Sequence, residues 1–218
     1  MNAKIIRMIQ NSKAKVIILD IDGTLKDLCK EHTIALLLTL EEFQVSNFRK
    51  NMIALINNIA MYMVKTGMVS TNHRKQGILI KMFAILSKTK LKSFRELYFK
   101  KYSEQIILFD GVDQLLCLLN SEKEIYFSTI NHQNYNLGEC GISQKRIVYT
   151  EGKSKVETYR KILENTGLDK DKVLVVGDNI FDDILSAKRF GVKCLLINSY
   201  DNKVKNVLCR IINNKYLK

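Results

Sequence analysis

Five short apolar runs, most of them ending in a polar or acidic residue, constrain this chain more than any other feature of its sequence. They are 16–20 (VIILD), 125–128 (IYFS), 147–150 (IVYT), 173–177 (VLVVG) and 194–198 (CLLIN). Each is rich in β-branched or other bulky apolar side chains and none alternates apolar with polar. Strands of that kind are buried on both faces, as in parallel sheets. Helical periodicity leads into the second run at 111–122 and separates later runs at 153–166 and 180–190. Strand and helix in regular alternation predict an α/β fold, a doubly wound parallel sheet with helices on both faces. Ligands of such sheets sit beyond the carboxyl ends of the strands.

One stretch breaks the alternation. Between residues 25 and 108 no run reads as a strand, and helical patterns follow one another at 32–45, 47–66, 76–88 and 93–103. A whole strand–helix–strand crossover takes roughly thirty residues, so this stretch is expected to be an inserted all-helical domain. The predicted organisation is a core of residues 1–25 and 106–218 and a helical insert of residues 26–105. Met52, Met61, Met63 and Met68 fall in the insert and are expected to pack its interior.

The composition, 46% hydrophobic and 26% charged over 218 residues, is that of a folded domain and excludes a disordered or fibrous chain. No apolar run is long enough to span a bilayer, and residues 1–15 carry too many Lys, Arg, Asn and Gln for a secretory signal. A cytoplasmic protein without a membrane partner is expected. The five cysteines form no C-x-x-C pair, so reduced, buried thiols are expected.

The strand ends carry the chemistry. The first closes in Asp20-Ile21-Asp22-Gly23-Thr24. Two carboxylates at the tip of a buried strand are costly unless a cation meets them, and the glycine lets the chain turn so that both converge. The fourth strand runs into Gly177-Asp178-Asn179-Ile180-Phe181-Asp182-Asp183. Four or five acidic groups gathered at one sheet edge repel unless a hard divalent cation with oxygen ligands joins them, and Mg2+ suits that donor set. The second strand ends in Ser128-Thr129-Ile130-Asn131, which offers hydroxyls and an amide. After the third, Gly152-Lys153-Ser154-Lys155 puts an ammonium at a helix start. A cation is poorly matched to that end of the dipole unless it reaches an anion.

In this order and spacing the residues resemble the four motifs of the haloacid dehalogenase-like (HAD) superfamily of phosphohydrolases. DxDGT is Asp20 to Thr24, the hydroxyl residue closing a strand is Ser128, and the lysine is Lys153, about two dozen positions before Asp178. The GDxxxxD motif is Gly177, Asp178 and Asp183. Thr129 is the alternative to Ser128, Lys155 to Lys153, and Asp182 to Asp183. The helices between the first two motifs resemble the family's C1-type cap.

The resemblance implies a Mg2+-dependent phosphatase acting on a small phosphorylated metabolite through an aspartyl-phosphate. Asp20 is then the nucleophile and Asp22 the acid and base, while Ser128 and Lys153 hold phosphoryl oxygens. Thr24, Thr129 and Asn131 line the substrate. Asp20, Asp22 (through its carbonyl), Asp178 and Asp183 form the metal set.

The sequence offers three other readings. A P-loop at Gly152-Lys153-Ser154 lacks its upstream glycine, since position 147 is Ile. A phosphomutase of the β-phosphoglucomutase type shares the motifs and differs in the cap. A non-catalytic nucleic-acid or anion binder would use the basic insert, where nine Lys/Arg between residues 74 and 104 meet only Glu96 and Glu104.

Overall fold

A computed structural model describes residues 3–66, 73–130, 143–150 and 154–216. The chain divides into two compact units, Met1–Asp27 with Leu108–Lys218, and Leu28–Ile107. These divisions fall two residues beyond those expected from the sequence.

The first unit is built on five parallel strands, β1 (Val16–Asp20), β2 (Glu124–Thr129), β3 (Ile147–Tyr149), β4 (Val173–Gly177) and β5 (Lys193–Leu196), in the order β3-β2-β1-β4-β5. β1 lies at the centre, with Asp20 opposite Ser128 of β2. Its five residues are all buried, which is why they read as one apolar run. The pleat sorts them onto two faces. Ile17 and Leu19 join Ile125, Phe127, Leu174, Val176 and Leu195 on one face, against α1 (Ala3–Gln10) and α6 (Val112–Glu122). Val16 and Ile18 join Val173, Val175, Cys194 and Leu196 on the other, where α7 (Val156–Thr166) contributes Tyr159 and Ile162. α8 (Leu185–Phe190) adds Ala187 and Phe190 to that face, and α9 (Lys203–Tyr216) also packs there. Truncating a fully buried Ile or Leu of either cluster to Ala would cost about 2–5 kcal/mol.

Three local features differ from the sequence expectation. The helix expected from residue 153 begins at Val156, with buried Lys155 immediately before it. The helix expected over 180–190 opens with a π-helical turn, Ile180–Ile184, before α8. Finally, α1 and α9 lie at ends of the chain for which no element was expected.

The second unit contains only helices among its described residues: α2 (Leu28–Glu42), α3 (Asn47–Lys65), α4 (His73–Ser87) and α5 (Leu91–Ser103). Leu36, Leu40, Ile53, Phe83, Phe94 and Tyr98 are among the residues that form its core. Buried His32 hydrogen-bonds Tyr98 and stacks on Tyr102, with ring centroids 4.4 Å apart. Glu31 Oε1 accepts from the Ile107 N–H at 2.8 Å.

The methionines do not behave as expected. Met61 is buried, whereas Met52 and Met63 are exposed, Met52 on a stripe with Phe48, Leu55, Ile59 and Tyr62. Their spacing follows the outer face of α3, not the inner one. Met68 lies outside the described residues.

Among the described cysteines Cys29 and Cys194 are buried, but Cys117 is exposed, contrary to expectation. Cys140 lies outside the described residues. No helix among the described residues is long and apolar enough to cross a membrane.

Candidate active site

The strand ends β1, β2 and β4 bring their polar residues to one place. One carboxylate oxygen from each of Asp20, Asp178 and Asp183 lies within 4.8 Å of the others, and all three residues are buried. Two glycines permit this crowding. Gly23 has φ +87°, and a Cβ there would lie 2.7 Å from Asp178 Oδ2. A Cβ on Gly177 would lie 2.3 Å from Asp183 Cγ. Either Cβ would force the carboxylate to shift, so a glycine at each position is what lets Asp178 and Asp183 sit where they do.

Among the described residues, Lys155 is the lysine that reaches both Asp20 and Asp183. Its ammonium is buried, hydrogen-bonded to Asp20 Oδ1 and donated to Asp183 Oδ1 at 2.7 Å and to the Ser128 carbonyl at 3.3 Å. Lys153, expected in this role, lies outside the described residues, as does Asn131. The pleat explains the Lys155 contact. Asp20 falls on the Val16–Ile18 face, the face covered by α7, and Lys155 is the residue immediately before that helix.

Asp183 is buried while Asp182 is only half-buried, so the outer of the two alternatives does not enter the cluster. Both oxygens of Asp183 are engaged, Oδ2 accepting from the Asn179 N–H at 3.0 Å. Asn179 in turn caps the π turn, its Oδ1 accepting from Phe181 and Asp182 N–H.

Asp22 stands just past the strand. Thr129 Oγ1 donates to its Oδ2 at 3.2 Å, and Lys26 Nζ lies 3.7 Å from its Oδ1. Thr129 therefore meets Asp22, while Ser128 lies beside Asp20 in register with its Oγ buried and unpaired among the described residues. The Thr24 hydroxyl is likewise buried and unpaired, and the Thr24 carbonyl accepts from Ser199 at 3.0 Å.

Electrostatics set the protonation of this cluster. Burial, and then the Asp183 charge, push the Asp20 carboxyl well above the usual carboxylate range, against the pull of Lys155. Asp178 is raised by burial too, with Lys205 opposing. Burial also works against the Lys155 ammonium, yet Asp183 and Asp20 hold its pKa well above that of an ordinary lysine. The Tyr159 hydroxyl, buried beside them, is pushed up by burial and then by Asp183.

Two members of the site were not foreseen. Lys26 was assigned to the insert, and Lys205 to no element, yet both side chains are fully buried against site carboxylates. A signal existed for Lys205, which shares one helical face with apolar Leu208, Cys209 and Ile212. Nothing comparable marked Lys26.

A family model for haloacid dehalogenase-like hydrolases matches residues 17–197. The chain belongs to that family. Its fold recurs in a candidate HAD hydrolase, YfnB of Bacillus subtilis, solved bound to magnesium, at 21% identity and TM-score 0.65. That alignment covers 92% of this chain and 99% of the other. A candidate phosphatase from Clostridium difficile aligns at 21% identity and TM-score 0.61, over 85% of this chain and 86% of its own. A hydrolase from Streptococcus pneumoniae TIGR4 aligns at 24% identity and TM-score 0.58, over 90% and 98%. No curated protein matches the chain. The chain is thus a HAD-like hydrolase with the parallel-sheet core of that family.

Proposed function

We propose that this HAD-like hydrolase is a Mg2+-dependent phosphatase of a small phosphorylated metabolite, with Asp20 as nucleophile. One observation carries the reading. Asp20 Oδ1 is held by Lys155 while its Oδ2, equally buried, has no partner among the described residues, beside the Asp178 and Asp183 carboxylates. An orphaned carboxylate oxygen in a buried acidic cluster fits a hard divalent cation, because such an ion takes oxygen donors and offsets their repulsion. Asp20, the Asp22 carbonyl and Asp178 would hold it, with Asp183 supporting from its fixed position. When bound, the ion would neutralise charge on the phosphoryl oxygens.

The remaining chemistry belongs to the chain. The Asp20 carboxylate attacks phosphorus through one oxygen while its other oxygen faces the cation site, and the bond from phosphorus to the leaving oxygen breaks. Asp22, oriented by Thr129, gives its proton to that oxygen and then accepts one from the water that cleaves the aspartyl-phosphate and restores Asp20. The Ser128 hydroxyl donates to the transferring group. We assign the third-motif role to Lys155, whose ammonium neutralises charge beside Asp20. Leu28–Ile107 is assigned as the cap, which in this reading selects the substrate.

A generic aryl phosphate provides the test. Mg2+-dependent release of inorganic phosphate is expected, falling by about a thousandfold or more in Asp20→Asn with the fold intact by circular dichroism. Hydrolysis indifferent to chelation, or surviving in Asp20→Asn, would overturn the proposal.

A further inference from the structure

Lys205 has no part in the reaction proposed above, yet it is fully buried and donates to Asp178 Oδ2 at 2.9 Å. A buried ammonium is costly unless the fold supplies an anion to meet it. The contact is not a long side chain settling on the nearest carboxylate, because α9 is fixed to the sheet at both ends. At its start, Asn198, two residues past β5, accepts from the Asn202 N–H at 3.0 Å and gives to the Asn202 carbonyl at 2.8 Å. Asn202 Oδ1 then caps the helix by accepting from the Val204 and Lys205 N–H groups. Near its end, the Asn213 side chain takes the Leu196 N–H and gives to the Leu196 carbonyl, each at 2.8 Å. Between them Leu208, Cys209 and Ile212 pack on the sheet, so Lys205 is delivered to Asp178 by a docked helix.

The local charge count makes this contact consequential. Asp20, Asp22, Asp178 and Asp183 face three fully or nearly fully buried ammonium groups, Lys26, Lys155 and Lys205. Lys155 is shared between Asp20 and Asp183, and Lys26 lies beside Asp22. Asp178, the carboxylate contributed by β4 to the acidic cluster, is paired with Lys205.

We propose that Lys205 is a positioning residue that competes with the divalent cation for Asp178, so that α9 lowers the metal affinity of the site. This inference rests on the metal reading given above. Lys205 neutralises and orients Asp178 in the metal-free protein, and a cation that takes Asp178 must displace that ammonium or bind against its charge. At this range one unit charge alters affinity by about tenfold or more.

Titration calorimetry of MgCl2 into the full-length metal-free protein tests it, comparing wild type with Lys205→Met. Removing the competing charge is expected to lower the Mg2+ Kd by about tenfold or more. An unchanged or weaker affinity overturns the proposal, since a merely structural lysine would at best leave binding as it was. Lys205→Met also leaves a buried carboxylate unmatched, so thermal unfolding provides a second readout. The variant is expected to melt below wild type in EDTA and to gain more from Mg2+ than wild type does, because the ion replaces the missing charge. A deficit that Mg2+ does not repair overturns the proposal. If wild type itself shows neither heat nor a melting shift with Mg2+, the metal reading of the site fails, and this inference falls with it.

Discussion

Lys155 and Lys153 are two residues apart, and the third-motif role is proposed for Lys155. The Lys155 ammonium is buried and shared between Asp20 and Asp183. Replacing it with Met should leave two buried carboxylates opposed without a cation. The expected loss in kcat/KM on an aryl phosphate is about a hundredfold or more, whereas Lys153→Met should stay within about threefold of wild type. Steady-state kinetics of the two variants decide it, and the reverse ranking would return the role to Lys153. The Lys155 contact was not legible in the sequence, because it depends on the residue at which α7 begins. Asp20, Ser128 and Asp178 were legible, since each ends or directly follows an apolar strand and a parallel sheet brings such ends to one edge. Lys26 and Lys205 were not, because a buried lysine is recognisable only once its partner carboxylate has been placed.

At the scale of elements, the sheet could be read from residue type while its last covering helix could not. α9 has a single apolar stripe interrupted by Asn and Lys, and the residues that fix it to the sheet are polar. Asn213 is the clearest case. β5 is an edge strand with one neighbour, β4, and its Leu196 would present an unpaired N–H and C=O. The Asn213 amide satisfies both, doing for the edge what another strand would do. Asn213→Ala should therefore cost about 1–3 kcal/mol, two modest hydrogen bonds at a partly buried position. Urea unfolding would show this as a lower midpoint at unchanged slope. If α9 delivers Lys205 as proposed, the same variant should also shift Mg2+ affinity in the direction of Lys205→Met, but by less. A midpoint equal to wild type would mean that water replaces Asn213 at no cost.

Over the whole molecule, charge is distributed unevenly. Residues 28–107 carry thirteen Lys/Arg against five Asp/Glu, so they hold +8 of the formal +13. Such an excess has two physical uses that respond differently to salt. As a long-range field it would raise the encounter rate with an anionic phosphate ester, an effect screened once the Debye length falls from about 30 Å at 0.01 M to about 3 Å at 1 M. kcat/KM should then fall several-fold as NaCl rises from low to high concentration, while kcat, set by the buried groups around Asp20, stays nearly constant. As a nucleic-acid contact the same charge would give RNA or DNA binding whose logarithm falls steeply and linearly with log salt. Asp20→Asn would not touch that binding. The enzyme reading requires the salt effect to be confined to kcat/KM. A kcat that fell in parallel would mean that salt acts on the buried cluster itself, and Lys26, Lys155 and Lys205 are too well shielded from solvent for that to be expected.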